Sequence, residues 1–194
     1  TCDETLQCTY FTEQNCNTVT LDGLAAQGEP LSFIKWCVYT DSRRHDAPLP
    51  EAVALAETCS EIPIQTWHAR QQEILDELWN TARITVTGQP SLQSGIDFAI
   101  YSLFQSAGRD GISSIASKGL SGEGYEGHYF WDTEIYMFPF FLLTQPKIAR
   151  MLLDYRYATL DGAREQARLL GHSRGALYPW RTITGTECSA YFPS

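Results

Sequence analysis

The pattern of hydrophobic and polar positions predicts two strands in the first quarter of the chain. In residues 5–12, Leu6, Cys8 and Tyr10 alternate with polar residues, which is the period of a strand with one buried face. Residues 31–40 (LSFIKWCVYT) carry β-branched and aromatic side chains at both parities, so we predict a well-buried second strand with Cys37 in its core. Residues 41–50 are polar and contain two prolines, which is typical of a linker.

After Pro63 the hydrophobic period lengthens to that of a helix. Apolar side chains recur at steps of three and four along residues 63–82, which predicts an amphipathic helix, and Pro63 suits its first turn. A second helix is predicted for residues 91–107, with Ile100 and Phe104 among its inward positions. Residues 108–127 contain six glycines, and a connection of this length is typical of a functional loop.

Helical periodicity continues through residues 132–170. A helix is predicted from Asp132, with Trp131, Ile135 and Phe138 on one face and a kink or an end at Pro139. A further helix is predicted from residue 146, interrupted at residues 161–162 (Asp-Gly), and residues 172–194 are expected to form a loop. Strands followed by helices predict an α+β chain.

Charge and cysteine content exclude some classes of function. The 194 residues carry a net charge of −9, from 14 basic and 23 acidic residues, which argues against nucleic acid as a partner. The sequence contains no membrane-spanning apolar run, no secretion signal and no Cys-x-x-Cys pair. We therefore expect a cytoplasmic protein with free thiols, no metal site and no cofactor. The first residue, Thr1, and the last, Ser194, indicate a piece of a longer protein.

Residues 119–137 (GLSGEGYEGHYFWDTEIYM) hold the candidate chemistry. The segment combines four carboxylates, one His, three Tyr and one Trp behind a run of glycines. A pyranose ring presents C–H faces that pack on aromatic rings and a rim of hydroxyls that carboxylates can bind. The segment therefore predicts a sugar site.

Structural alternatives exist for the same residues. Asp132 is well placed to cap a helix, and Glu134 would then lie favourably in its first turn. Trp131 and Trp180 could simply pack in a core, and His128 could be a structural histidine. The G-x-G-x-x-G match at residues 122–127 and the G-x-S-x-G match at residues 171–175 lack the strand–turn–helix setting of a nucleotide loop or a nucleophile elbow.

Three segments resemble family 65 of the glycoside hydrolases, which contains the maltose, kojibiose, nigerose and trehalose phosphorylases and their hydrolase relatives. They read GLSGEGYEGHYFWDTEIYMFPFF, ARMLLDYRYATLDGAREQAR and GALYPWRTITGTECSAYFPS. The resemblance is strong over residues 60–194 and weak over residues 1–45. It implies the last strands of an N-terminal β-sandwich (1–45), a linker with the amphipathic helix (46–88) and the first helices of an incomplete (α/α)6 barrel (89–194).

The resemblance implies inverting phosphorolysis of an α-glucosyl disaccharide such as kojibiose or maltose. A Glu general acid would protonate the glycosidic oxygen while inorganic phosphate, as co-substrate, attacks the anomeric carbon. One catalytic carboxylate then suffices, where an inverting hydrolase needs two. The partners implied are disaccharide and phosphate, with neither nucleic acid nor membrane, and the parent protein would be a homodimer.

Carried over by motif, Trp131 and Asp132 would hold the non-reducing glucose in subsite −1. Trp180 would lie near the acceptor sugar in subsite +1, and Arg181 stands where some relatives carry an acid. Tyr125 and His128 complete the expected substrate-binding set.

The general acid is expected in an Asp-Glu-Tyr-His motif downstream of Ser194. No such tetrapeptide occurs here, so no catalytic residue is assigned within the chain, and the family's phosphate-binding loop is likewise expected outside it. Two alternatives remain: an α-glucoside hydrolase of the same family, and a non-catalytic sugar-binding fragment.

Overall fold

The computed structural model describes residues 6–14, 16–24, 26–30, 32–120 and 122–189. The chain divides into two compact units between Gln71 and Gln72. The predicted domain limits at residues 45 and 88 stay a prediction. Within the described residues, every helix is too short or too polar to cross a membrane.

The first unit contains a β-hairpin. Strand β1 (Gln7–Glu13) pairs antiparallel with β2 (Cys16–Asp22), so that Gln7 lies opposite Asp22 and Glu13 lies opposite Cys16. This confirms the predicted strand at residues 5–12, of which residue 5 lies outside the described residues, but the expected buried face is wrong at Tyr10, which is 78% exposed. Strand β2 was not predicted, because its threonines and asparagine obscure the alternation of Val19 and Leu21.

The prediction of a buried strand at residues 31–40 is wrong for the described part, residues 32–40. This part has one isolated β-bridge at Phe33, and Phe33, Cys37 and Tyr39 are exposed. The period of two persists, since Ile34, Trp36 and other alternate residues are half-buried. A high β-propensity measures how well side chains pack on a sheet, and both sheets in the described residues are two-stranded and lie elsewhere in the sequence.

The predicted linker at residues 41–50 is wrong from Pro48 onward, because helix α1 (Pro48–Glu61) begins there. Proline is favourable in the first turn of a helix, where its missing N–H has no partner to lose. The prolines at positions 48 and 50 therefore open a helix here instead of preventing one.

The second unit is mainly helical. Its elements include most of α2 (Ile64–Ala82), then α3 (Pro90–Ser106), α4 (Phe138–Thr144), α5 (Pro146–Ala158) and α6 (Leu160–Leu169). The helices predicted at residues 63–82 and 91–107 are confirmed, and Ile100 and Phe104 are buried as expected. The core cluster of this unit comprises Leu78, Ala82, Ile100, Phe104, Ala107, Ile115, Phe141, Ile148, Ala149 and Leu152.

A π-helical turn (Thr133–Met137) precedes α4. Its i→i+5 geometry is closed by the Phe138 N–H, which donates to the Thr133 carbonyl. Pro139 lies in the first turn of α4, so the break falls before the proline. The predicted common face of Trp131, Ile135 and Phe138 is wrong in part: Phe138 packs against the core, whereas Ile135 is 57% exposed. The extra residue in a π turn shifts the spacing on which that prediction depended.

The interruption predicted at residues 161–162 occurs at Thr159 instead, and α6 includes both residues. The Thr159 hydroxyl donates to the carbonyls of Tyr155 and Arg156, which closes the end of α5. Gly162 has a packing role, because a Cβ there would lie 3.2 Å from the Gly185 carbonyl oxygen. On α5, Arg150 forms an ion pair with Asp154 at 2.8 Å, one helical turn along the chain.

Cysteines 16, 37, 59 and 188 are free thiols. The exposure of Cys37 corrects its predicted place in the core. Cys2 lies outside the described residues.

Candidate functional site

A two-stranded ribbon brings the two predicted site segments together. Strand β3 (Tyr129–Phe130) pairs antiparallel with β4 (Arg181–Thr182), with Phe130 opposite Arg181. The fully buried Thr182 hydroxyl accepts from the Gly185 N–H at 2.8 Å, which fixes the turn after β4. Residues 125–131 therefore meet residues 180–181, although about fifty positions separate them in sequence.

Four aromatic side chains form a row along this ribbon. Tyr125 contacts Phe130 at 5.2 Å between ring centroids, Phe130 contacts Trp180 at 5.7 Å, and Trp180 contacts Trp131 at 5.5 Å, all edge to face. Tyr125 and Trp180 remain 52% and 39% exposed. The two tryptophans therefore pack against each other, as expected if they have a structural role. Trp180 also keeps exposed surface that can contact a sugar.

The Trp131 indole is hydrogen-bonded to the chain segment that leads into Trp180 and Arg181. Its Nε1 donates to the Pro179 carbonyl at 2.9 Å. This bond fixes the ring plane, so that Trp131 presents one defined orientation.

Asp132 does not cap a helix with its side chain. Its backbone is already helical (φ −52°, ψ −33°), and its carboxylate makes no capping hydrogen bond. The residue is half-buried, and within the described part of the chain no group donates a hydrogen bond to its carboxylate. The capping alternative is therefore not supported, and both carboxylate oxygens can accept from a ligand.

Glu134, in contrast to Asp132, has a hydrogen-bond donor for each of its carboxylate oxygens. Its two oxygens accept from Arg156, at 2.8 Å from Nε and 2.6 Å from Nη2. Sequence reasoning gave Glu134 only a helix-dipole role and passed over Arg156. A signal existed, because Arg156 follows the core residue Leu152 by four positions and so continues the buried face of α5.

The glycine-rich loop before the ribbon adopts left-handed backbone geometry over four consecutive residues. The φ angles are +105° at Gly124, +54° at Tyr125, +51° at Glu126 and +75° at Gly127. Tyr125 and Glu126 are strained, since side chains disfavour this region. The His128 N–H donates to the Tyr125 carbonyl at 2.9 Å, and His128 Nδ1 lies 2.8 Å from the same oxygen. His128 therefore stabilises the turn that exposes Tyr125.

Arg181 connects this loop to β4. Its Nη2 donates to Glu126 at 2.8 Å and lies 3.3 Å from His128 Nδ1. The backbone N–H groups of Trp180 and Arg181 donate to the Glu187 carboxylate, a positioning contact that sequence reasoning missed.

The structure thus places Tyr125, His128, Trp131, Trp180 and Arg181 around one ribbon, with Asp132 next to Trp131 in the chain. No hydrogen bond joins Asp132 to the other five in the described residues.

A cleft of about 590 Å³ lies beside this ribbon. Of the six predicted residues only Trp131 lines it; the other lining residues include Ile135, Leu153 and Leu177 together with the Glu134–Arg156 pair. This lining is mainly apolar, so we assign the candidate site to the ribbon, where aromatic faces and hydrogen-bonding groups occur together. In the described residues, His, Cys, Asp and Glu side chains form no group that could hold a metal ion.

Comparison with known proteins identifies the family. The model of the glycosyl hydrolase family 65 central catalytic domain matches residues 97–193, which include all six candidate residues. The chain is 54% identical over 158 residues to an alpha,alpha-trehalose phosphorylase from Geobacillus stearothermophilus, covering 81% of this chain and 21% of that protein. It is 47% identical over 184 residues to an alpha,alpha-trehalose phosphorylase from Thermoanaerobacter brockii, covering 94% of this chain and 24% of that protein.

Two further similar proteins carry the name kojibiose phosphorylase. A kojibiose phosphorylase from Halothermothrix orenii is 48% identical over 130 residues, covering 66% of this chain and 16% of that protein. A solved structure of a human-microbiome protein, assigned as a kojibiose phosphorylase, matches with a TM-score of 0.65 and 32% identity over 71% of this chain and 18% of that one. The chain thus spans between a fifth and a quarter of the length of the trehalose phosphorylases it matches. On the match to residues 97–193, the chain belongs to glycosyl hydrolase family 65.

Proposed function

We propose that this chain is part of an inverting disaccharide phosphorylase and that residues 125–132 and 180–181 bind its sugar substrate. The observation that carries the proposal is the half-buried Asp132 carboxylate, which has no hydrogen-bond donor in the described residues and directly follows the oriented indole of Trp131. Both oxygens of this carboxylate are therefore available to accept hydrogen bonds from the hydroxyls of a ligand.

In this proposal Asp132 accepts hydrogen bonds from hydroxyls of the non-reducing glucose, and Trp131 packs beside the ring. Trp180 and Arg181 lie toward the acceptor sugar. A general acid outside the described residues gives its proton to the glycosidic oxygen. A phosphate oxygen forms a bond to the anomeric carbon as the bond from that carbon to the glycosidic oxygen breaks. The products are β-glucose 1-phosphate and a free sugar. Hydrogen bonds from the sugar hydroxyls to Asp132 that strengthen as positive charge develops on the ring would lower the barrier.

The proposal extends to the architecture. The similarity to a solved structure at a TM-score of 0.65 supports residues 89–194 as the first helices of an (α/α)6 barrel. Residues 46–88 would be the linker, and residues 1–45, which contain the β1–β2 hairpin, would be the last strands of a β-sandwich.

Trehalose is the first disaccharide to test, because the two relatives that match 81% and 94% of this chain are trehalose phosphorylases. The full-length protein containing this chain should release glucose 1-phosphate from trehalose, kojibiose or maltose only when inorganic phosphate is present. Release of glucose at an equal rate without phosphate would favour the hydrolase alternative. Binding of glucose without turnover of any disaccharide would favour the binding-fragment alternative.

The 194-residue chain by itself should release no glucose 1-phosphate, because it contains no Asp-Glu-Tyr-His motif. A missing general acid costs on the order of 10²–10⁴-fold in rate. Measurable release by the purified chain would show that the expected position of the acid is wrong.

A further inference from the structure

A buried arginine contacts the backbone and side chains around the proposed glucose-binding pair. Arg156 is 7% exposed and lies on α5 beside the core residues Leu152 and Tyr155. Its Nε and Nη2 donate to the two oxygens of Glu134 at 2.8 and 2.6 Å, which is the bidentate geometry of a strong arginine–carboxylate pair. The same Nη2 also donates to the Phe130 carbonyl at 3.4 Å.

These two contacts lie on either side of Trp131 and Asp132. Phe130 directly precedes the pair, and Glu134 follows it by two positions. Between them, the Trp131 carbonyl accepts from the backbone N–H groups of Glu134 and Ile135 at 3.1 and 3.2 Å. A single guanidinium group therefore holds residues 130–134 at both ends, where the chain changes from β3 to the π turn.

Arg156 is itself held in place by Tyr178, which lies two positions before Trp180. The Tyr178 hydroxyl donates to the Arg156 carbonyl at 3.0 Å, and the guanidinium lies 5.7 Å from the centre of the Tyr178 ring. Tyr178 adjoins Pro179, whose carbonyl accepts from the Trp131 indole. Arg156 thus contacts the elements that fix both the backbone and the ring of Trp131.

Stability alone is a poor explanation for this ion pair. Removing the Arg156 charge from water is costly, since its side chain is only 9% exposed, and apolar residues of similar volume are often at least as stabilising as such an ion pair. The Arg156 Nη1 adds to the cost, because it is enclosed and no acceptor for it lies in the described residues. What an apolar pair could not reproduce is the simultaneous, directional hold on Glu134 and on the Phe130 carbonyl.

We propose that Arg156, through Glu134 and the Phe130 carbonyl, is a positioning residue that fixes Trp131 and Asp132 for binding the non-reducing sugar. The inference rests on the proposed function. A displacement of about 1 Å in a positioned group can reduce a rate by about 10²-fold. Loss of the pair should therefore weaken use of the disaccharide and leave the binding of phosphate unchanged.

Two changes in the full-length protein test the proposal. Glu134→Gln keeps the size of the side chain and removes its charge. The double change Glu134→Leu with Arg156→Met replaces the pair by apolar side chains of similar volume, which should preserve the fold. Arg150→Lys is the matched control, since Arg150 lies on the same helix in an ion pair but is 72% exposed.

The measurements are kcat/KM for the disaccharide at saturating phosphate, and KM for phosphate at saturating disaccharide. We expect kcat/KM to fall on the order of 10²-fold in the double variant and to a lesser extent in Glu134→Gln. We expect KM for phosphate to change less than about twofold, and Arg150→Lys to match the parent. If the double variant is folded by circular dichroism and retains parental kcat/KM, the positioning role is wrong. A rise in KM for phosphate as large as the fall in kcat/KM for the disaccharide would also overturn the positioning role, since that outcome indicates a general structural role.

Failure of the proposed function would differ from failure of this inference. If the unmodified full-length protein shows no phosphate-dependent cleavage of any α-glucosyl disaccharide, the proposed function is wrong, and the positioning role that rests on it falls with it. If that protein is active and its folded pair variants are equally active, only the inference is wrong.

Discussion

Replacing Asp132 should separate activity from stability in the full-length protein. A side chain that caps a helix contributes about 0.5–2 kcal/mol, but Asp132 makes no capping hydrogen bond and has helical backbone angles. Alanine is a better helix former than aspartate by up to about 0.7 kcal/mol. Asp132→Ala also removes a half-buried charge that has no donor in the described residues. The free energy of unfolding should therefore stay the same or rise slightly.

The activity of Asp132→Ala should fall, although its stability should not. A hydrogen bond to a charged acceptor contributes about 1.5–3 kcal/mol, and a carboxylate can accept more than one from a sugar. At about 1.36 kcal/mol for each tenfold change in rate, Asp132→Ala should lower kcat/KM on the order of 10²-fold or more. Asp132→Asn keeps the shape and one acceptor oxygen but loses the charge, so its kcat/KM should lie between those of the parent and Asp132→Ala.

The assay is the initial rate of glucose 1-phosphate release, measured together with the midpoint of thermal inactivation. The matched control is Asp161→Ala, because Asp161 also lies in a first helical turn but is exposed and pairs only with Arg164 in the described residues. The control should keep parental kcat/KM. The reasoning is refuted if Asp132→Ala retains parental kcat/KM. It is also refuted if the inactivation midpoint falls by several degrees in proportion to the loss of activity, since that result indicates a structural carboxylate.

Three other substitutions test the site and the fold. Trp180→Ala should raise KM for the acceptor sugar about tenfold in the synthetic direction, without changing KM for glucose 1-phosphate, as initial rates would show. Gly185→Ala should destabilise more than Gly175→Ala in denaturant unfolding: both glycines have φ near +100°, but only at Gly185 would a Cβ meet a neighbouring side chain, at 2.8 Å. Leu152→Ala should cost about 2–5 kcal/mol, whereas Leu153→Ala, at a half-exposed position on the same helix, should cost much less; equal losses would contradict the assigned core.

Helices with a sustained hydrophobic period could be predicted from the sequence. Residues 63–82 and 91–107 succeed because their apolar positions repeat over several turns, and the positions at Leu78, Ile100 and Phe104 are those that the core buries. The strand predicted at residues 31–40 is wrong over residues 32–40, because a strand depends on a neighbour that supplies hydrogen bonds, and composition contains no information about that neighbour. Helix α1 was missed because proline both disrupts and begins helices, and position decides which.

Resemblance to family motifs predicted which residues form the candidate site. The sequence did not predict how these residues are arranged in space. No periodicity indicates that residues 129–130 pair with residues 181–182, since each strand contributes only two residues. The Glu134–Arg156 pair joins residues 22 positions apart, and only the position of Arg156 on the buried face of α5 indicates it. Short-range patterns specify helices, whereas contacts between distant segments depend on the packing of the whole unit.

Asp132 and Glu134 show how one short motif can hold two carboxylates with different contacts: Glu134 pairs with Arg156, whereas no group of the described residues donates to Asp132. Residues two positions apart on a helix do not face each other, so Glu134 can meet Arg156 while Asp132 stays outside that contact. The π turn that begins at Thr133 separates them further, and such turns are common at functional sites. Single substitutions at either position should lower activity, but only those at Glu134 should also lower stability, because they leave the Arg156 charge buried without its partner. The same loss of kcat/KM would then have two physical causes, and the free energy of unfolding distinguishes them.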